Sequence, residues 1–287
     1  MTFPALQDYL ARLRDAPVDT SLWLDKQGKA HGRYLNSTLT SVFQPIRALQ
    51  NNRVVGVQGF MRSYARNNAC NNACSDEGLS IWKLLDTTAT DDQSIELDRM
   101  CRLLHTVNFY RQPEMADADL YLSVHARLLA AVDSNHGMSF RHVLDLLELP
   151  HRKVVLQLPA IQTRQAWIAH YVADNYRRNG FRLAINVADA KQGLEQIRQI
   201  EPDVIKLDAR ELTDDAAVLR LLEEAAGSNV AVIFKRVESS SVQEKLCRLA
   251  EQTPHTILAQ GYLFDRPRAV FADSAEAEQE LPEEVTP

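Results

Sequence analysis

Polar and cationic side chains stand where β-branched segments of this chain end. Gln58 and Arg62 follow the run that starts at Val54, while Lys206 and Lys235 lie near the ends of VIKLD and VAVIFKRV. In a βα barrel the carboxyl ends of the strands meet on one face, so we expect these side chains to share a rim. Three cations around a small cleft could receive a phosphate group without a metal ion.

The segments that would position these groups alternate between two periodicities. From Ile95 onward, stretches of helical period separate short β-branched runs. The runs are Leu120–Ala126, Lys153–Pro159, Arg182–Ala188, Val204–Asp208, Val230–Val237 and a last strand-like run at Thr256–Phe264. Seven or eight strands alternating with helices predict an α/β fold, a (β/α)8 TIM-like barrel. A doubly wound open sheet is the alternative, but no glycine-rich phosphate loop follows a strand.

The first part of the chain differs from this alternation. Leu6, Tyr9, Leu10 and Leu13 predict an amphipathic helix over Pro4–Arg14. The strand TSVFQPIRAL is joined to the Val54 run by a short Asn51-Asn52 connection, which predicts an antiparallel pair near the start of the barrel. We therefore divide the chain into an N-terminal helix and connecting segment (1–37), a barrel (38–271) and an acidic tail (272–287) predicted to be disordered.

Bulk composition excludes several classes of function. The 287 residues are 45% hydrophobic and carry a formal net charge of −6, which argues against sequence-independent binding to duplex nucleic acid. No apolar run is long enough to span a membrane and no signal sequence is recognisable, so we expect a cytoplasmic protein.

Four cysteines are too few for a disulfide framework in a chain of this length. Cys101 and Cys247 fall in apolar helical patterns and are expected to be buried reduced thiols. Cys70 and Cys74 lie in a polar NNACNNAC repeat, for which we favour an ordinary mobile loop over a zinc site.

Taken together, the strand ends resemble the EAL domain family, barrel enzymes that hydrolyse the bacterial second messenger cyclic di-GMP. The resemblance covers about Thr38–Val270. Its motifs are FQPI at Phe43–Ile46, VVG at Val54–Gly56 with Arg62 after it, IKLD at Ile205–Asp208, VE at Val237–Glu238 and QGYLFDRP at Gln260–Pro267. The resemblance implies nucleotide contacts for Gln44 and Arg62, and it implies a homodimer, because family barrels often dimerise.

The chain departs from the family at the positions of the metal ligands and catalytic groups. The Glu-Ala-Leu tripeptide is replaced by Gln58, Gly59 and Phe60. The former ligand and catalytic positions are Gln58, His125, Gln157, Asn186, Val187 and Lys235, while Lys206, Glu238 and Gln260 are retained. Because Mg²⁺ and Mn²⁺ need anionic oxygen ligands, we predict that the protein is not an enzyme and holds no metal or other cofactor.

Two functions remain, together with a third that has little support. The leading hypothesis is a catalytically inactive EAL-like signalling protein that acts by contact with another bacterial regulatory protein. The alternative is a receptor that binds cyclic di-GMP without metal through Gln44, Arg62 and Lys206. An esterase acting on another substrate would need a nucleophile–base pair or a carboxylate dyad, and the strand ends show neither.

The same residues carry structural expectations. Lys206 is expected to pair with Glu238, or else to receive a phosphate group. The three amides Gln58, Gln157 and Asn186 are expected to hydrogen-bond one another where metal ions would have been shared. His125 is expected to be a hydrogen-bonded rim residue.

Four aromatic or amide side chains elsewhere carry further expectations. Gln260 and Tyr262 are expected to pack and cap the last strand. Trp167 and Tyr171 share one helical face and are predicted to lie in the core, although an exposed pair would mark a surface for a partner.

Overall fold

The computed structural model describes residues 3–14, 21–35, 37–65, 90–112, 114, 117–125, 136–159 and 166–271. The Cys70–Cys74 loop, the acidic tail and Ala126 lie outside these residues. Within the described ranges, no helix is both long enough and apolar enough to cross a membrane.

Ten strands of the described residues form one sheet that closes on itself. They are β1 Leu22–Leu24, β2 Ala30–Tyr34, β3 Ser37–Ala48, β4 Val54–Ala65, β5 Asp119–Ser123, β6 Val154–Leu158, β7 Arg182–Val187, β8 Val204–Asp208, β9 Ala231–Lys235 and β10 Ile257–Gln260. Strands β4 to β10 are parallel, and β3 closes the barrel by pairing antiparallel with both β4 and β10. Strands β1 and β2 continue the sheet outward from β3. The predicted eight-stranded barrel with one antiparallel strand near its start is confirmed.

Helices lie between consecutive barrel strands from β4 onward. The seven described helices are α1 Pro4–Arg14, α2 Asp91–Tyr110, α3 His136–Leu146, α4 Ala166–Arg178, α5 Ala190–Ile200, α6 Asp215–Gly227 and α7 Ser240–Ala250. The side chains of Thr90, Asp189, Asp214 and Ser239 accept a backbone N–H of the first turn, which explains where α2, α5, α6 and α7 begin. The predicted helix α1 is confirmed.

Two buried layers follow from the two-residue period of the strands. One inner cluster fills the barrel with Ile46, Ala48, Tyr121, Val155, Ala184, Val204, Ile233 and Leu258. The alternate residues face outward and pack under the helices. A glycine is needed at position 56, next to the inner cluster, because a Cβ there would lie 2.6 Å from a ring carbon of Tyr121.

The connection between β3 and β4 forms as predicted, but β4 does not end where its β-branched run ends. Asn52 has a φ of 56° in the tight turn. Strand β4 remains paired with β3 through Ala65, so Arg62 lies within the strand, opposite Thr40, and its side chain is exposed. The expected change from strand to rim after Val57 is therefore wrong, because antiparallel pairing with the long β3 continues the extended backbone.

Burial differs from expectation at three helical residues. Cys101 is buried as predicted, but Cys247 is exposed. Trp167 and Tyr171 are 63% and 50% exposed, so the prediction that they belong to the core is wrong. Helix α4 turns Ala169, Ala173 and Tyr176 inward instead.

Candidate functional site

A cavity of about 250 Å³ opens at the carboxyl ends of the barrel strands. We call it the barrel mouth. Its lining consists of Gln44, Gln58, Phe60, Ser123, Gln157, Asn186, Lys206, Lys235, Arg236, Glu238, Gln260, Gly261 and Tyr262. Most of the strand residues among them lie two positions beyond members of the inner cluster. The alternation of side chains along each strand therefore points them to the same side as that cluster, into the mouth.

The lining includes most of the positions singled out in the sequence. Gln44, Gln58, Gln157, Asn186, Lys206, Lys235, Glu238 and Gln260 are all present. Arg62, His125 and Val187 are not among the lining residues. Val187 is buried in the outer layer under the helices, and His125 lies two residues beyond β5, where its backbone N–H donates to Asp98 Oδ1 at 3.2 Å.

Lys206 is the centre of a hydrogen-bond network at the base of the mouth. Its ammonium donates to Gln58 Oε1 at 2.8 Å and to Gln260 Oε1 at 3.2 Å, and it lies 5.3 Å from the centroid of the Tyr121 ring. Burial, together with the nearby charge of Lys235, lowers the pKa of Lys206 to about 7. The two amide oxygens solvate this cation without neutralising it.

The amides continue the network away from Lys206. Gln260 Nε2 donates to Gln44 Oε1 at 3.0 Å, and Gln44 Nε2 donates to the backbone oxygen of Asp265 at 2.7 Å. Gln58 Nε2 donates to the backbone oxygen of Tyr121 at 3.2 Å. Each amide therefore has its oxygen on a donor and its nitrogen on an acceptor, which holds the base of the mouth in one arrangement.

Lys235 forms a second lysine–amide pair on the same cavity wall. Its Nζ donates to Asn186 Oδ1 at 2.8 Å, and Asn186 Nδ2 donates to the backbone oxygen of Leu158 at 3.0 Å. Partial burial, followed by the neighbouring charge of Arg236, lowers the pKa of Lys235. Two cations thus face one small space.

The network corrects two expectations. Lys206 does not pair with Glu238, because its described partners are the two glutamines, and Glu238 is exposed at the rim. The amides do not bond one another, since Gln58 and Asn186 accept from lysines. Gln157 Oε1 is buried without a described hydrogen-bond partner.

At the last strand, Gln260 belongs to the network, whereas Tyr262 is 59% exposed and packs little. The expectation that Tyr262 packs on the last strand is therefore wrong, whereas its capping of that strand stays a prediction.

Three lining residues escaped the sequence argument. Ser123 follows Tyr121 by two positions, and strand alternation could have found it. Gly261 could have been found as the glycine in QGYLF. In the structure it allows a close backbone approach, because a Cβ there would lie 2.0 Å from the Val237 backbone oxygen. Arg236 has a φ of 61°, and no local feature of the sequence predicts this left-handed backbone conformation.

The divalent cations that the family resemblance implies do not fit this donor set. The mouth offers one carboxylate, Glu238, against the cations Lys206, Lys235 and Arg236. Among the described residues, no group of three His, Cys, Asp or Glu side chains could hold a metal ion. Asp208 lies close to the mouth, but its carboxylate already accepts from Arg210 and Arg236 at 2.9–3.1 Å. The mouth favours anions over metal cations.

Solved structures with the same fold come from several bacteria. The Bacillus subtilis YkuI protein, with an EAL domain in complex with substrate c-di-GMP and calcium, is 20% identical with a TM-score of 0.64, over 82% of this chain and 56% of that one. Klebsiella pneumoniae BlrP1, as a manganese/cy-diGMP complex, is 20% identical with a TM-score of 0.64, over 80% and 56%. This chain thus spans little more than half the length of these two proteins.

A third structure is covered along its whole length. A standalone versatile EAL protein from Vibrio cholerae O395, in its c-di-GMP bound form, is 15% identical with a TM-score of 0.61, over 86% of this chain and 100% of that one. At these identities the likeness shows the fold alone. A search of curated proteins found no match. The EAL domain family model matches residues 31–267, most of the sequence, and the chain therefore belongs to the EAL domain family.

Proposed function

We propose that this protein is a non-hydrolytic regulatory member of the EAL domain family that acts by binding a protein partner. One observation carries the first half of the proposal. In the barrel mouth, Lys235 and Lys206 hydrogen-bond to Asn186 and Gln58, at positions where the family resemblance implies metal ligands and catalytic groups.

Hydrolysis of a phosphodiester by divalent cations requires anionic ligands to hold them. A divalent cation near Asn186 would meet the ammonium of Lys235 and a neutral amide oxygen. The attraction from Glu238, which is exposed and therefore screened by water, does not offset that repulsion. The donor set thus supports a protein that leaves cyclic dinucleotides intact.

Exposed apolar side chains support the second half of the proposal. Trp167 and Tyr171 are one turn apart on α4, and Met138 and Leu146 are 57% and 64% exposed on α3, a helix that contacts α4. Aromatic residues and methionine are enriched at protein interfaces. The two helices therefore offer a surface for a regulatory protein.

Metal-independent binding of cyclic di-GMP is the second candidate, and the lysine pair favours it. Two cations facing one cavity can take a phosphate group, and Gln157 Oε1 is a buried acceptor without a described partner. Gln44 is already bonded at both ends of its amide, which is why we rank this function second.

One experiment distinguishes three outcomes: hydrolysis of cyclic di-GMP, binding of cyclic di-GMP without hydrolysis, and no interaction with it. Purified protein is incubated with cyclic di-GMP and Mg²⁺ or Mn²⁺, and the nucleotide is followed by chromatography. We expect no turnover, and cleavage at an enzyme-like rate would contradict the proposal. Calorimetry with and without chelator then tests binding. One result would favour the cyclic di-GMP receptor over the proposed function. It is micromolar affinity that persists with chelator and is weakened in Arg62→Ala, but not in Arg53→Ala at another exposed arginine.

A further inference from the structure

The described chain ends beside the barrel mouth, and the acidic tail continues from that point. After β10 the chain passes the mouth, where Tyr262 is a lining residue. Arg268 and Phe43 then exchange two backbone hydrogen bonds, of 2.7 and 2.9 Å, and the lining residue Gln44 follows Phe43. The ring centroid of Phe271, the last described residue, lies 5.8 Å from that of Phe43. The tail therefore starts next to β3, one of the strands around the mouth.

The tail carries the acidic excess of the whole chain. It includes six of the 38 acidic residues and none of the 32 lysines and arginines, so its formal charge equals the net charge of −6. Four of the six are glutamates of the segment Glu278–Glu284, which also contains Leu281. We call this segment the acidic run. It is complementary to a surface that combines positive charge with apolar side chains.

Lys235 supplies positive charge at the mouth without a bonded carboxylate among the described residues. Its side chain is partly exposed and lines the cavity. An ammonium group has three N–H donors, and the structure describes one acceptor for them, the neutral Asn186 Oδ1 at 2.8 Å. The exposed Arg236 follows it in the chain, and the nearby Asp208 already accepts from Arg236 and Arg210. A carboxylate that reaches Lys235 therefore meets unused donors.

The mouth also presents exposed aromatic side chains. Phe60 and Tyr262 both belong to its lining, and both are exposed. The guanidinium carbon of the exposed Arg266 lies 6.0 Å from the centroid of the Tyr262 ring. The mouth thus offers apolar contacts for a side chain such as Leu281 close to positive charge.

The acidic run is far enough along the chain to reach Lys235. Strand β10 lies between β3 and β9, and the registers place Gln260 opposite Lys235 and Ala259 opposite Arg47. Phe43 is therefore about three residues along β3 and two strand spacings across from Lys235, at most about 20 Å. The acidic run lies seven to thirteen residues beyond Phe271, and a fully extended chain of that length spans roughly 23–45 Å.

We propose that the acidic run Glu278–Glu284 binds in the barrel mouth of its own chain. Its carboxylates accept from Lys235, with the charge of Arg236 nearby, and Leu281 packs on the exposed aromatic side chains of the mouth. The tail then competes with any anionic ligand that enters there. Its own chain is the favoured site, because a short tether gives an effective concentration in the millimolar range. The inference does not depend on the proposed function, whose partner surface lies on α3 and α4.

Zero-length crosslinking tests this contact on the full chain. A carbodiimide joins a carboxylate to a lysine amine when the two groups touch, and mass spectrometry of the digest identifies the pair. We expect an amide link between Lys235 and the acidic run within one chain, at a yield that does not change with protein concentration. Links to Lys191, an exposed lysine of α5, in place of Lys235, links between two chains, or no link from the tail would each overturn the proposal.

Competition with a free peptide gives a second test. In a neutral-tail variant of the full chain, every acidic residue of the tail is replaced by its amide, which leaves the mouth open. A peptide of residues 273–287 should bind this variant at least about ten-fold more tightly than it binds the unaltered protein, whose tethered tail competes. Equal binding to the two proteins, or to neither, would overturn the proposal.

Matched lysine variants locate the peptide. In the neutral-tail variant, Lys235→Gln should weaken peptide binding by about ten-fold, since it removes a charged hydrogen-bond donor. Lys191→Gln, at the exposed lysine of α5, is the control and should leave binding unchanged. Circular dichroism shows that the variants are folded, and equal peptide binding by folded Lys235→Gln and Lys191→Gln would also overturn the proposal.

Discussion

At the residue scale, the barrel mouth contains a buried lysine whose hydrogen-bond partners are neutral amides. Lys206 is buried and held by Gln58 and Gln260, whose oxygens carry only partial charge. Burial removes water from the ammonium group and the charge of Lys235 lies nearby, so proton loss is favoured and the pKa of Lys206 is lowered.

This lowered pKa predicts a dependence of stability on pH. Lys206 has a pKa of about 7 in the folded protein, whereas an unfolded lysine titrates at about 10.4. Between those values the unfolded chain binds more protons, so folding becomes more favourable as the pH rises. The free energy of unfolding of the unaltered protein, relative to Lys206→Met, should increase above about pH 7 by at most about 1.4 kcal/mol per pH unit.

Urea unfolding at about pH 6, 7.5 and 9 measures this difference. Lys191→Met, at an exposed lysine of α5, is the control and should track the unaltered protein at every pH. If the free energy of unfolding changes with pH in the same way for the unaltered protein and Lys206→Met, the pKa of Lys206 is not lowered in the folded protein.

At the element scale, α4 buries two alanines and one tyrosine and exposes a tryptophan and a second tyrosine. Its inward face carries Ala169, Ala173 and Tyr176, which are buried. Trp167 and Tyr171 lie on another face and meet water. Their exposure places a surface feature where periodicity alone predicted core.

The exposed pair should contribute to binding and not to stability. Replacing Trp167 and Tyr171 together by Ser should change the free energy of unfolding by less than about 0.5 kcal/mol, because surface substitutions seldom do more. Tyr176→Ser, on the same helix, should cost about 3 kcal/mol or more, since it empties a buried site. Thermal and urea unfolding give both values.

The binding side of this prediction uses a photo-crosslinking residue placed at Tyr171 in cells. A discrete protein adduct at that position, absent when the same residue replaces the exposed Tyr262, is the expected result. Equal labelling at both tyrosines, or a double Ser variant as unstable as Tyr176→Ser, would count against the surface.

At the scale of the whole molecule, β3 closes the barrel and the end of the described chain braces it. Strand β3 pairs with β2, β4 and β10. Arg47 of β3 donates to both carboxylate oxygens of Asp265, at 2.6 and 3.0 Å, and Gln44 reaches the backbone of the same residue. The segment after β10 therefore links barrel closure to the base of the mouth.

Asp265→Ala should loosen the closed barrel as a unit. The Asp265 side chain is 4% exposed and that of Arg47 is 21% exposed, so water can partly solvate the arginine that is left, and we expect a loss of about 2 kcal/mol of stability. Chemical denaturation measures the loss. Glu224→Ala removes the exposed pair with Arg198 between α5 and α6 and should leave the midpoint unchanged. A similar response in both variants would mean that Asp265 does not brace the closure.

Much of the fold and part of the site could be predicted from the sequence. Periods of two and 3.6 residues are local properties, so the strands from Asp119 to Gln260 and the helices between them were placed within a few residues. Strand alternation also assigns the inner face. The residue types at Gln58, Asn186 and Lys235 likewise determine, without any coordinates, that these positions lack the carboxylates expected of metal ligands.

Only the tertiary structure decided which of these groups meet. Lys206 and Gln58 are 148 residues apart, and their contact depends on the registers of all the strands between them. The sequence leaves a glutamate and two amides equally available to that lysine. The closed barrel alone determines which oxygen lies within hydrogen-bond reach, because distance across a cavity is a property of the whole sheet and not of any segment.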